Sequence, residues 1–111
     1  MIKSVKKVWG YEEWLVNTEL YCAKILAVKY GYQCSLHHHK EKDESFYCLK
    51  GCIRLELENK IITLKPNDCI RIKPKEKHRF TSMTNTSKIL EVSTHHEDSD
   101  SYRTIQGGKI T

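Results

Sequence analysis

Four side chains in this 111-residue chain have the types and spacing to hold one metal ion. Residues 31–51 read G-x5-H-x-H-x4-E-x6-G, with Gly31, His37, His39, Glu44 and Gly51 at the fixed positions. In an extended chain, residues i and i+2 face the same side, about 7 Å apart. His37 and His39 therefore project together, and His38 points away. Glu44 opens the next strand of a hairpin and can return a carboxylate to the same point. Gly51 turns the chain where a side chain would obstruct it. His78 follows a proline-containing turn and is the fourth ligand expected, from a neighbouring strand. Three imidazoles and a carboxylate suit zinc, manganese, iron, nickel or cobalt. They leave one or two positions open, which points to catalysis or substrate binding rather than a closed structural site. A bare His-His-His run is often just a solvated surface triplet. This one is internal, flanked by strand-like runs, and followed by Glu and Gly at set distances.

Such ligands need short strands to carry them, and the sequence supplies these. Residues 21–29, 34–39, 44–49, 52–57, 61–64, 69–72, 78–83 and 88–94 read as strands, with turn signals every 8–12 residues or so. CIRLEL at 52–57 alternates cleanly: Ile53, Leu55 and Leu57 on one face, Arg54 and Glu56 on the other. Glu58-Asn59-Lys60 and Pro66-Asn67-Asp68 are turns. Residues 9–16 suggest one helical turn at most, and no longer helical period occurs. The expectation is one all-β domain of about eight to eleven strands. Residues 1–19 form an N-terminal segment packed on the barrel or on a dimer partner. Residues 20–96 are the barrel, and 97–111 a polar extension with a mobile end.

Composition excludes several classes. Hydrophobic residues are 39% and charged residues 30%. No stretch approaches the ~18 apolar residues of a membrane span. The net charge of +5 comes from scattered lysines, without the basic–aromatic interleaving of a nucleic-acid surface. The five cysteines are odd in number, and residues 1–7 lack the apolar core of a signal peptide. Free thiols in the reducing cytosol are expected. Cys48 and Cys52, with no second pair, do not form a zinc knuckle.

The 31–51 motif resembles the first motif of the cupin superfamily, small jelly-roll β-barrels, and matches it in full. The second cupin motif, G-x5-P-x-G-x2-H-x3-N, is matched in part. His78 keeps its place. Asn67 and Lys75 stand where glycines are expected, Lys73 for the proline and Ser82 for the asparagine; these departures bear on the loop shape more than on the ligand. Upstream, Val8-Trp9-Gly10-Tyr11-Glu12 and the Tyr21-x2-Lys24-x-Leu26-x-Val28-x2-Gly31 strand resemble the cupin domain of type II mannose-6-phosphate isomerases. Residues 93–98 are similar to the end of small stand-alone cupins associated with surface-sugar biosynthesis.

The resemblance implies a small-molecule substrate, a sugar or sugar phosphate. A metal with open positions can bind vicinal oxygens and stabilise an ene-diolate, as aldose–ketose isomerisation or epimerisation requires. A base must also move one proton. Lys24 and His95 are the catalytic candidates, with His96, Glu91 and the Lys73/Lys75 pair as further possible bases. Strand alternation puts Ser35 with the two histidines, Phe46 and Cys48 with Glu44, and Phe80 with His78, so these four should line the pocket. Trp9 and Trp14 are expected on the barrel exterior or at a dimer interface. Two other readings stay open: a non-catalytic sugar- or metal-binding cupin, and an iron-dependent dioxygenase. A cytoplasmic homodimer that binds neither nucleic acid nor membrane completes the expectation.

Overall fold

Alternation decides the architecture. Along residues 44–48 and 53–55 every second residue is buried: Glu44, Phe46 and Cys48, then Ile53 and Leu55. A computed structural model describes residues 3–110 of the chain. It contains β1 (Lys3–Lys7), β2 (Gly10–Asn17), β3 (Cys22–Lys29), β4 (Tyr32–Gln33), β5 (Leu36–His39), β6 (Glu44–Lys50), β7 (Ile53–Leu57), β8 (Ile61–Leu64), β9 (Cys69–Ile72), β10 (His78–Ser82), β11 (Thr86–Ser93), β12 (Ser101–Ile105) and β13 (Gly108–Lys109). The pairs are antiparallel and form two sheets. One runs β1-β2-β3-β11-β6-β9. The other runs β12-β5-β10-β4-β13, with β7 also on β10 and β8 on β7. Between them lies one core that includes Trp9, Leu26, Val28, Phe46, Ile53, Leu55, Phe80 and Ile89. This is the all-β jelly-roll the sequence led us to expect.

There are more strands than expected because both ends of the chain join the sheets. Residues 9–16 hold no helical turn. Instead β2 pairs with β1 on one side and β3 on the other. Trp, Tyr and Val favour a pleated surface, and β3 would otherwise carry a row of unpaired backbone groups. Gly10 makes the approach possible, since a Cβ there would collide with the Ala27 carbonyl. The tail is likewise tied down. β12 pairs with β5 and β13 with β4, and the Ile110 N–H donates to Gly31 O at 2.7 Å. The last few residues, expected to be mobile, are thus paired as far as Ile110, and Thr111 lies outside the described residues.

Gly51, Asn67 and Lys75 all carry a positive φ in loops. Gly51 has φ +84°, and a Cβ would strike Ser87 Oγ, so its turn needs glycine. Asn67 (φ 78°) and Lys75 (φ 72°) are the non-glycine residues in the left-handed region among the described residues. They occupy the two positions where the second motif has glycine. The backbone thus keeps the glycine conformation without the glycines. At Lys75 this lets the N–H donate to His39 O, fastening the loop before β10 to the strand that carries two histidines. Among the described residues, no helix is long and apolar enough to cross a membrane.

Candidate metal centre

β5 and β10 are neighbours, with His37 opposite His78. The i, i+2 spacing brings His39 to the same face. The ring centroids are 4.4 Å apart for His37–His78, 5.0 Å for His37–His39 and 5.5 Å for His39–His78. One ring nitrogen from each lies within 4.8 Å of the others, a group that could hold a metal ion. Each Nδ1 meets a backbone carbonyl: Ser35 O at 2.8 Å, Asp100 O at 3.1 Å and Glu76 O at 2.9 Å for His37, His39 and His78. Donation there assigns a proton to Nδ1 and leaves the Nε2 of each ring, when neutral, with a free lone pair. Such outer contacts orient metal-binding imidazoles.

Glu44, the inward residue at the start of β6, closes the cluster. Its Oε2 is 3.2 Å from His78 Nε2 and 3.4 Å from His39 Nε2. Glu44 Oε2 and His78 Nε2 are buried without a hydrogen-bond partner among the described residues. An orphaned buried polar atom costs about 1–3 kcal/mol. A divalent cation between them would satisfy both, so the donor set fits a transition metal.

The protonation pattern agrees. Burial, reinforced by the charge of His78, pushes His37 down to about 3. Burial and the nearby Lys42 ammonium push His39 to about 3. Both are neutral ligands at pH 7. For His78 burial acts downward too, but the Glu44 carboxylate outweighs it and raises the pKa. That proton must leave when a metal binds.

His37 and His39 line a cavity of ≈ 280 Å³, and His78 packs against His37. Ser35, Phe46 and Phe80 also line the cavity, as the alternation predicts. So does Trp9, which is inside the barrel with its ring edge-on to Phe80 at 5.1 Å, not on the exterior. Cys48 does not line the cavity. It shares the inward face of β6 but sits two inward positions beyond Glu44, which carries it about 13 Å along the strand. It is buried there, and its thiol points to Lys50 O.

A second part of the lining is charged. Lys24 joins it from β3 and is only 1% exposed. Its Nζ is 3.5 Å from Glu12 Oε1 and 4.1 Å above the Trp14 ring. Glu91 from β11 accepts from Lys42 Nζ at 2.9 Å. Burial would raise the Glu91 pKa, but Lys42 and Lys24 lower it instead. Lys42, 3% exposed, also lies 3.0 Å from His96 Nδ1 and 3.6 Å from Glu44 Oε1. Burial works against its charge, yet Glu91 and Glu44 raise its pKa. Burial, then Lys42 and Lys24, lower that of His96.

His95 is not in the cavity. Its Nδ1 faces Thr18 O at 2.7 Å and its Nε2 faces Glu97 at 3.3 Å, on the outer surface. Just past the end of β11, His96 is the one turned inward. Lys73 and Lys75 also lie outside the lining. Three contributors escape the sequence reading. Lys42 lies in the polar spacer between His39 and Glu44, where no periodicity marks it. Glu12 would have been visible had residues 9–16 been read as a strand. Arg103 lines the cavity from β12, in the segment read as a polar extension.

Comparisons with known proteins bear on this geometry. The sequence pattern of the cupin domain matches residues 25–94. An uncharacterised HTH-type transcriptional regulator, YobQ of Bacillus subtilis, is 34% identical over 86 residues, covering 76% of this chain and 36% of that protein. A mannose-1-phosphate guanylyltransferase of Sinorhizobium fredii is 29% identical over 82 residues, covering 74% of this chain and 15% of the relative. The chain thus spans about a third or less of these curated relatives. Among solved structures, KdgF from Halomonas sp. superposes with a TM-score of 0.75 at 19% identity, covering 80% and 81% of the two chains. Oxalate decarboxylase from Bacillus subtilis gives 0.83 at 16%, covering 92% of this chain and 30% of that one. Mn(II) centres are described in the latter protein.

Proposed function

The chain belongs to the cupin domain family, and from that premise we propose that it is a metal-dependent enzyme acting on a sugar or sugar phosphate by isomerase or epimerase chemistry. One observation carries the reading. Two members of the three-histidine cluster, His37 and His39, line the same small cavity as a set of buried ionisable side chains. A closed structural metal site would have no use for that set. The similarity to a mannose-1-phosphate guanylyltransferase over 82 residues supports a sugar as substrate.

His37, His39, His78 and Glu44 would hold the metal. When bound, it would supply Lewis-acid polarisation of a carbonyl. The protein groups do the rest. Glu91 is held anionic by Lys42 and Lys24. Its Oε2 is occupied by Lys42 and Ser93. Oε1 takes no hydrogen bond among the described residues and is assigned the proton moved between adjacent carbons. Lys24, on the same wall, holds a substrate oxygen. Trp9, Phe46 and Phe80 exclude water and present apolar surface to the sugar ring.

The test is a panel of aldoses, ketoses and their phosphates, run with metal-loaded protein in deuterium oxide. Exchange at C2, followed by proton NMR, is the expected result. Binding without exchange would favour a second reading, a non-catalytic sugar-binding cupin, which the similarity to a transcriptional regulator supports. Oxygen uptake with iron(II) would replace both with a dioxygenase. We also propose a cytoplasmic homodimer. Val8 and Tyr11 remain exposed beside the β1 edge. Sedimentation as a ~13 kDa monomer at micromolar concentration would remove the dimer.

A further inference from the structure

The spacer between His39 and Glu44 is held in an unusual way. Asp100, distant in sequence, accepts from three consecutive backbone N–H groups. Lys40 donates to Oδ1 at 3.0 Å, Glu41 to Oδ1 at 3.3 Å and Oδ2 at 3.2 Å, and Lys42 to Oδ2 at 3.0 Å. The Asp100 carbonyl also accepts from His39 Nδ1. One residue of the C-terminal segment thus fixes both a histidine of the cluster and the path of the loop that follows it.

That path drives the Lys42 side chain inward. An ammonium carries three protons. Two are used, on Glu91 Oε2 at 2.9 Å and His96 Nδ1 at 3.0 Å. The remaining neighbour, Glu44 Oε1, is 3.6 Å away, beyond a good hydrogen bond. A buried, cavity-lining cation therefore has a donor to spare. The charge count of the cavity points the same way. The cavity lining holds four cationic groups, Lys7, Lys24, Lys42 and Arg103, and four carboxylates, Glu12, Glu44, Glu91 and Asp98. A divalent metal would turn this balance into an excess of positive charge. An unbalanced charge in a low-dielectric site is costly, so an anionic ligand is favoured over a neutral one.

We propose that Lys42 is a specificity-determining residue that binds an anionic oxygen of the ligand beside the metal, and that Asp100 is the positioning residue that seats it. This rests on the reading of the cavity as a metal-dependent sugar site. It goes further in naming an anionic sugar derivative, carboxylate or phosphate, and in giving the C-terminal segment a part in recognition.

The test uses full-length, manganese-loaded protein and calorimetric titration with three probes of one ring stereochemistry: mannose, mannuronate and mannose 6-phosphate. At least one of the two anions should bind ten-fold or more tightly than mannose, and which one does so identifies the group. K42M should remove most of that preference and K42R should keep part of it. D100N sets an amide NH2 against backbone donors and should also remove it. In a K42M background D100N should change little, because its effect acts through Lys42. A merely structural Asp100 would cost as much affinity in both backgrounds. Manganese stoichiometry, read separately, tells the two failures apart. Loss of metal binding in the wild type overturns the site itself. Retained metal with neither anion preferred, or a preference that survives K42M, overturns the role of Lys42. If preference falls in K42M but not in D100N, the role of Asp100 is wrong.

Discussion

The two walls of the cavity are built on opposite plans. The histidine wall comes from adjacent strands, β5 and β10, and its members lie two residues apart or directly across a ladder. Each histidine is braced by a carbonyl, and the cluster is left with unsatisfied atoms aimed inward. The charged wall draws Glu12, Lys24, Lys42, Glu91 and His96 from four separate parts of the chain. Its members mostly satisfy one another, through Lys42–Glu91 at 2.9 Å and Lys24–Glu12 at 3.5 Å. The first wall is unfinished without a cation. The second is a self-compensating network that costs stability to bury and persists because each charge answers another. Loss of a member should therefore read out differently on the two sides: in metal content for the first, in folding stability for the second.

The largest contrast is expected from H37A/H39A. Metal-to-protein ratio by elemental analysis should fall from about one to near zero, since two of four ligands go. Far-UV circular dichroism should stay that of a β protein. Retained stoichiometric metal would mean the cluster is not the site.

On the other wall, K42M should leave a buried carboxylate uncompensated and cost about 3–5 kcal/mol in urea unfolding. K42M/E91L should cost clearly less than the sum of the single changes, because the pair is removed together. Simple additivity would show that the two groups do not act as a pair.

Acid separates the walls by pH window. His37 and His39 titrate near 3 when folded but near 6.5 in an unfolded chain. The unfolded state therefore takes up protons first, and stability present above about 6.5 is lost as pH falls toward 3. His78, raised by Glu44, acts in the opposite sense: its contribution is full below the unfolded value and fades as pH rises through its folded pKa. Two lowered histidines outweigh one raised. Glu91 is lowered, so its contribution is held above about 4.5 and lost only below. Metal-free protein should thus lose urea midpoint between pH 7.5 and 5.0. H37Q should shrink that loss, whereas E91Q should leave it intact. The reverse ranking would misassign the windows.

The smallest effect concerns the loop that braces the histidine wall. Lys75 adopts a left-handed φ of 72°, which costs a non-glycine residue about 1 kcal/mol. K75G should raise thermal stability by up to about that amount, less the entropy of a glycine in the unfolded chain. Metal content should not change. A loss of stability would show that the lysine side chain contributes more than its backbone costs.

How far the site was legible follows from these plans. His37, His39 and Glu44 are readable because a strand has period two and a hairpin returns nearby. The metal wall is therefore written in local spacing, and His78 follows from its partial match to a second motif. Lys24 was readable as an inward position of β3, but its partner Glu12 was not, since residues 9–16 were read as holding one helical turn at most. The choice between His95 and His96 turned on a single residue of phase at the end of β11. A one-residue shift exchanges inside for outside, and no residue type marks it.

By itself, the sequence determined the all-β class and the convergence of His37, His39 and Glu44, because each is encoded within about ten residues by alternation and turn chemistry. Only the tertiary structure decided that Lys42 turns inward, that the C-terminal segment completes a sheet, and that Asp100 holds the loop between two ligands. These depend on contacts distant in the chain, 58–60 residues apart for those of Asp100. They are set by which backbone donors are left unpaired once the sheets have formed, a condition that no local window of sequence contains.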